Sequence, residues 1–190
     1  MERLYMIFLI LLMLCSCTNN KVKSSIKMEE DKYWNIIENS WTDSPLVNSL
    51  RKEALRTNKK KDIYDLTNKI DKKIKANYIK RLELLSKEEY QEYICWFDEK
   101  LYKIDRKVIY QYTDGGDDGF IYVRMFIVGM GKEYYSTIKE NPEKAYFEMD
   151  AESFGFQMYE TYFERFKEEW KPCKYRIDSF MNKEGWEGVF

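Results

Sequence analysis

Apolar residues recur every three or four positions through most of the chain, which is the period of an amphipathic α-helix. The longest such segment runs from Asp62 to Leu85 and has an outer face rich in lysine. The sequence Ser86-Lys87-Glu88-Glu89 then matches a capping box, which predicts that a second long helix starts at Lys87 and continues to about Tyr112. Two long helices joined at a short corner are expected to be antiparallel neighbours.

Shorter segments with the same period lie on either side of this pair. Trp34 and Ile37 begin the pattern, and Ser44-Pro45 is a typical helix start. The helix after Pro45 is expected to bury four apolar residues: Leu46, Val47, Leu50 and Ala54. The basic residues 56–61 read as a loop on the solvated surface.

The second half of the chain contains an acidic, glycine-rich loop at 114–119 between two predicted helices. The helix after the loop has the apolar face Phe120, Val123, Ile127, Met130 and Tyr134. A last helix rich in aromatic residues follows Asp150, and Trp186 and Phe190 are expected to fold back onto the bundle. No segment alternates strictly between apolar and polar residues, so we predict an all-α fold, a single compact bundle of about five to six helices.

The N-terminus carries a targeting signal. Residues 4–14 form an apolar run of eleven after Arg3, too short to span a bilayer but typical of the core of a signal peptide. Leu14-Cys15-Ser16-Cys17 resembles a bacterial lipobox, with Cys17 as the cysteine that receives acyl chains such as palmitate. We therefore predict a lipoprotein signal peptide at 1–16, the lipidated cysteine with a flexible tether at 17–30, and a helical domain at 31–190. An uncleaved anchor or an ordinary signal peptide is the alternative.

The amino-acid composition excludes several classes of function. The 190 residues include 32 basic and 33 acidic side chains, so no overall field attracts nucleic acid, and we expect no nucleic-acid partner. The chain contains no histidine, which excludes Ser-His and Cys-His mechanisms and most zinc sites. The acidic loop lacks two EF-hand ligand positions, at Gly116 and Met125, and reads as a tight turn with an aspartate cap. We expect no metal and no cofactor.

Several of these positions resemble a bacterial family of unknown function, domain-of-unknown-function family 4240. The resemblance covers roughly residues 31–165 and includes Trp34, Leu85-Ser86, the acidic loop, Arg124, Gly131-Lys132 and Asn141-Pro142-Glu143. The chain departs from the family pattern in a shorter acidic loop, in Phe126 in place of tryptophan, and in Met130 in place of glutamine. The resemblance implies a helical domain and supplies no reaction.

Four residues form the candidate contact site: Asp117, Asp118, Tyr122 and Arg124. Arg124 lies beside the apolar stripe of its helix, so we expect it to pair with a carboxylate, because an unpaired buried charge is costly. Cys95 and Cys173 are the cysteines that remain after cleavage before Cys17. In an oxidising compartment they would form a disulfide between the tail and the fourth predicted helix, and two separate buried thiols are the alternative.

These features favour a membrane-anchored lipoprotein of the bacterial cell envelope, facing the periplasm or the surface. Its first predicted role is a non-enzymatic protein-interaction module. Acylated Cys17 anchors the protein to the bilayer, and the domain binds a protein partner, such as a toxin that it neutralises. The alternative role is a small-ligand-binding or hydrolytic domain that uses the acidic loop and Arg124.

Overall fold

The computed structural model of the protein describes residues 28–113 and 116–188, apart from the side chain of Asp117. The predicted signal peptide, Cys17 and Phe190 lie outside these residues. Regular structure in the described residues is entirely helical, which confirms the predicted all-α class. Among these helices none is long and apolar enough to cross a membrane.

The helices are numbered here in chain order. They are α1 (Glu30–Thr42), α2 (Pro45–Thr57), α3 (Lys60–Tyr64), α4 (67–82), α5 (Lys87–Lys103), α6 (Lys107–Thr113), α7 (Gly116–Gly129), α8 (Lys132–Glu140) and α9 (Glu152–Phe166). Helix α4 contains a π-helical segment, Ile70–Ile74, between Thr67–Lys69 and Lys75–Leu82. Short 3-10 turns occupy Pro142–Lys144 and Lys183–Trp186. Residues 167–188 are called the C-terminal tail.

Helix α7 lies at the centre of the bundle. Its residues Met125, Phe126, Ile127 and Val128 are consecutive and all buried, so the helix is enclosed on every side rather than on one face. It packs against α5, α8 and α9. Gly155 allows α9 to approach α7 closely, since a Cβ there would lie 2.3 Å from the Met125 sulfur.

The predicted capping box is confirmed. The Glu89 amide donates to the Ser86 hydroxyl at 3.2 Å, and the Ser86 amide donates to the Glu89 carboxylate at 2.9 Å. Helix α5 therefore begins at Lys87, as the sequence predicts.

Three predicted long helices are divided in the structure. Helix α3 is separate from α4, and the helix predicted to continue to Tyr112 ends at Lys103 before α6 begins. The latter break lets the buried Asp105 carboxylate accept from the amides of Phe180 and Asn182 in the tail. The third break falls at Gly131, whose φ of 94° ends one helix and starts α8.

The predicted apolar face of α2 is confirmed at Ala54, which is buried, and at Val47, which packs against the core, but it is wrong at Leu46 and Leu50. Leu46 and Leu50 are 85% and 57% exposed, whereas Arg51 is 6% exposed. The Arg51 guanidinium lies 4.7 Å from the Trp41 ring centre and donates to the Met130 carbonyl and the Glu38 carboxylate. These contacts satisfy its donors, so the helix turns its polar side inward.

Contacts with the bundle begin before residue 31. Met28 is 3% exposed, and its carbonyl accepts from the Trp96 indole at 2.8 Å. At the other end, the tail is irregular yet attached. Cys173 forms a disulfide with Cys95 of α5, and Trp186 is buried against the bundle.

Candidate functional site

Arg124 is enclosed in the bundle rather than exposed in a site. Its guanidinium donates to the Leu101 carbonyl at 3.1 Å, and to the Ile177 carbonyl and the Ser179 hydroxyl of the tail at 2.9 and 3.1 Å. Among the described residues it has no carboxylate at ion-pair distance, in contrast to the expected pairing. The fork of Arg124 reaches carbonyls at the end of α5 and in the tail, so it joins these two segments.

Burial lowers the pKa of Arg124 to about 10, and the more distant Asp105 and Asp178 carboxylates oppose this shift. The side chain therefore stays charged at neutral pH. The Phe120 ring centre lies 4.9 Å from its guanidinium carbon and adds a cation–π contact. Arg124 therefore has a structural role, since its hydrogen bonds hold the tail against the bundle.

The remaining predicted contact residues lie near the start of α7. Since α7 begins at Gly116, Asp117 and Asp118 fall in its first turn rather than at its cap, where the helix dipole favours negative charge. Asp118 is exposed and lines a hollow of about 210 Å³ with Asp178 of the tail. Tyr122 packs edge-on against Phe156 of α9, with ring centres 6.2 Å apart.

A larger cleft lies next to these residues. It has a volume of about 610 Å³ and runs between the 152–160 part of α9 and residues 170–178 of the tail, with Asp98 of α5 also lining it. We call it the tail cleft. Phe156 and Asp178 line it, so Tyr122 and Asp118 border it from outside. Arg124 does not line it, although it holds the tail that forms one wall.

Asp98 is the buried acid of the tail cleft. It is 5% exposed, and its Oδ1 accepts a hydrogen bond from the Tyr159 hydroxyl at 2.5 Å. Burial raises the pKa of Asp98 to about 7, against the opposing effect of the Tyr159 hydrogen bond. Its Oδ2 has no hydrogen-bond donor among the described side chains and backbone amides. A carboxyl of this kind in a cleft is a candidate functional group.

Aromatic rings form the wall beside Asp98. The Tyr159 and Trp170 ring centres are 4.6 Å apart, and Phe156 lies 6.4 Å from Tyr159. Tyr159 is nearly buried, whereas Phe156 and Trp170 are partly exposed. The cleft therefore combines a buried carboxyl with accessible ring surface.

Ser153 and Lys75 form a pair that resembles a nucleophile and its base, since the Lys75 ammonium donates to the Ser153 hydroxyl. Acyl transfer also requires donors for a developing oxyanion. The neighbouring amides of Glu152 and Phe154 already donate to the carboxylates of Asp150 and Asp71, at 2.7 and 2.9 Å. These carboxylates would repel an oxyanion, so the arrangement does not fit acyl transfer.

No cluster of acidic and cysteine side chains in the described part of the chain has the spacing of a metal site. Sequence reasoning did not find Asp98. The signal that identifies it is helical phase: Asp98 follows Ile94 by four residues and precedes Leu101 by three, on the buried face of α5. A carboxyl at such a position needs a partner or a function.

The chain was compared with known proteins. A family model described as "Protein of unknown function (DUF4240)" matches residues 28–166. Neither the curated proteins nor the solved structures gave a match. The matched region starts where Met28 enters the core and stops at the end of α9, so it contains Asp98 and Tyr159 but not the tail. The chain belongs to this family, which is described as one of unknown function.

Proposed function

We propose that this protein is a lipid-anchored binding module of the bacterial cell envelope, which holds a protein partner at the tail cleft without catalysing a reaction. The observation that carries the proposal is the cleft itself. It is open, has a volume of about 610 Å³, and combines the buried Asp98 carboxyl with aromatic rings. Such a combination of apolar wall and few polar groups is typical of binding sites.

Two features support export and anchoring. The lipobox-like sequence that ends at Cys17 supplies a residue for acylation, and several acyl chains hold a protein durably at a bilayer. The disulfide between Cys95 and Cys173 is typical of proteins outside the reducing cytosol. Both observations favour a domain that faces the periplasm or the cell surface.

Binding is favoured over catalysis by the surroundings of the polar groups. Ser153 lies among carboxylates, and Asp98 has no second buried acid beside it in the cleft. The alternative function, a ligand site or hydrolytic centre built from the acidic loop and Arg124, has less support. The Nη groups of Arg124 donate to the chain's own carbonyl and hydroxyl oxygens, and the side chain is fully buried.

Site-specific photo-cross-linking in cells tests the binding proposal. A photo-cross-linking amino acid replaces Gln157, which lines the tail cleft, or Leu84, which is 83% exposed after α4 and serves as the control. We expect a discrete protein adduct from position 157 and none from position 84. Adducts from position 84 alone, or no adduct from position 157, would contradict the proposal.

The anchor is tested separately by Cys17→Ala. Metabolic labelling with palmitate is expected to mark the natural chain and not the variant, and the variant is expected to leave the membrane fraction. Continued labelling of the variant would rule out Cys17 as the acylated residue.

A further inference from the structure

The tail cleft has an excess of negative charge. Its lining contains four carboxyl groups, Asp98, Glu152, Glu160 and Asp178, and one guanidinium, Arg176. Burial raises the pKa of Asp98 to about 7, so this carboxyl is mostly ionised above neutral pH. Arg176 pairs with Asp178 at 3.0 Å, which leaves the other three carboxylates without a cation in the lining. Glu152 and Glu160 are exposed on α9, whereas Asp98 is buried. A cation that enters the cleft meets favourable charge at the mouth and again at the floor.

The ring faces of the cleft add a second attraction for a cation. Lys174 already lies over the Tyr175 ring of the cleft lining, and Lys100 lies over Trp96 outside the cleft. No described cation lies over Phe156, Tyr159 or Trp170. Tryptophan is the strongest partner for a cation among aromatic residues, and Trp170 is partly exposed in the cleft.

Asp98 also indicates which kind of cation fits. The Tyr159 hydroxyl occupies its Oδ1, so Oδ2 is the oxygen that remains for a ligand. A guanidinium binds best to a carboxylate through two parallel hydrogen bonds, which needs both oxygens. An ammonium group is a compact charge that is satisfied by one carboxylate oxygen and adjacent ring faces.

We propose that the tail cleft binds an alkylammonium group, which contacts the Oδ2 of Asp98 and the ring faces of Tyr159 and Trp170. The inference rests on the proposed binding function and names the chemistry that the cleft recognises. The ammonium group belongs either to a free amine or to a lysine side chain of the protein partner. In both cases binding supplies the counter-charge that the buried carboxyl lacks.

Calorimetric titration of the full-length chain in a mild detergent at pH 8, where Asp98 is mostly ionised, tests the chemistry. The probes are n-butylammonium, n-butylguanidinium and the neutral n-butanol. We expect saturable binding of n-butylammonium, at least tenfold weaker binding of n-butylguanidinium, and no binding of n-butanol. Asp98→Asn is expected to weaken n-butylammonium binding at least tenfold, because it removes the charge and keeps the shape.

Two further variants keep the test decisive. Glu164→Gln removes a carboxylate from α9 outside the cleft and is expected to leave binding unchanged. Trp170→Leu removes a ring without changing the charge and is expected to weaken binding severalfold. Equal binding of n-butanol and n-butylammonium, unchanged binding by Asp98→Asn, or no saturable binding of any ammonium probe would overturn the proposal.

Two more probes identify the source of the ammonium group. They are spermidine and a lysine-containing peptide, and the same peptide acetylated at the lysine Nζ serves as the control. Tighter binding of the peptide than of spermidine, lost on acetylation, assigns the site to a lysine of the partner. Tighter binding of spermidine assigns it to a free amine. A cross-link from position 157 without any ammonium binding would leave the binding module in place and reject the ammonium group alone.

Discussion

At the scale of single residues, Asp98 and Arg124 show two ways in which a bundle holds a buried charge. Arg124 directs its Nη donors to carbonyl and hydroxyl oxygens and joins α5 to the tail. Asp98 has one tyrosine hydroxyl as its partner and lines a cleft. The Nη groups of Arg124 are satisfied within the chain and its fully buried Nε has no partner among the described residues, whereas Asp98 leaves one carboxylate oxygen for a ligand. For this reason the site is assigned to Asp98.

The pKa of Asp98 predicts a pH-dependent stability. Burial raises the pKa to about 7, above the ordinary value of about 4 in an unfolded chain. Between these values the native state holds a proton that the unfolded chain has released, so the free energy of unfolding falls as the pH rises from about 4 to 7. The difference between the folded and unfolded pKa values corresponds to a loss of about 4 kcal/mol in the free energy of unfolding.

The groups that face Asp98 do not cancel this dependence of the free energy of unfolding on pH. The pKa values of Tyr33 and Tyr159 are raised by burial, so both remain neutral over the same range. The other charged groups of the cleft, Glu152, Glu160, Asp178 and Arg176, are exposed to solvent. Urea unfolding of the full-length chain and of Asp98→Asn at pH 5 and pH 8 provides the measurement. The variant is expected to gain stability relative to the natural chain at pH 8, and an equal difference at both pH values would refute the shift.

At the scale of elements, periodicity and capping chemistry were sufficient to predict most helices. The helical period predicted for α5 is confirmed by its buried residues Tyr90, Tyr93, Ile94, Phe97 and Leu101, and the helix starts at its capping box. Helix ends were harder, because Asp105 and Gly131 take their conformations from distant partners. The inward side of α2 was mispredicted for the same reason, since Arg51 is satisfied by Glu38 and by the Met130 carbonyl, which a local pattern does not contain. The tail cleft likewise arises from pairing between α9 and the tail.

Gly131 supplies a prediction about the corner between α7 and α8. Its φ is 94°, and a Cβ would lie 2.2 Å from a Glu38 carboxylate oxygen and 2.7 Å from Arg51 Nη1. The same Glu38 oxygen accepts from the Lys132 amide at 2.9 Å and caps α8. We therefore expect Gly131→Ala to destabilise the domain by about 2–4 kcal/mol through strain and loss of these contacts.

Gly119→Ala is the matched control for this prediction. Gly119 lies within α7, and a Cβ there would meet nothing within 4 Å. Alanine should therefore stabilise the helix by about 0.5–1 kcal/mol. Thermal or urea unfolding of both variants gives the comparison, and a Gly131→Ala variant as stable as Gly119→Ala would show that the corner is not constrained.

At the scale of the whole molecule, the tail turns a helical bundle into a bundle with a cleft. The family model matches residues 28–166, so the outer wall of the cleft belongs to the part of this chain beyond the match. The tail is held in place by the disulfide and by hydrogen bonds to Gln91, Asp105 and Arg124. The sequence indicated that Cys95 and Cys173 could pair and that Trp186 folds back onto the bundle. The path of the tail between these residues could not be predicted, because an irregular segment has no hydrophobic period.

The disulfide between Cys95 and Cys173 closes a loop of large sequence separation, 78 residues. By the chain-entropy model a cross-link that closes a loop of this length stabilises the folded state by about 4.5 kcal/mol. We expect the Cys95→Ser/Cys173→Ser double variant to lose stability of this order in urea unfolding, and reduction of the natural chain to have the same effect. An unchanged unfolding midpoint would show that the remaining tail contacts are sufficient.

Hydrogen–deuterium exchange of the full-length chain, with and without saturating n-butylammonium, tests the central claim most directly. If the tail cleft is the binding site, slower exchange is expected in residues 152–160 of α9 and 170–178 of the tail, and Asp98→Asn should abolish the difference. The start of α7 and the exposed face of α2 should exchange at the same rate in both states. Protection confined to those two regions, or equal protection in Asp98→Asn, would place the site elsewhere and contradict the account.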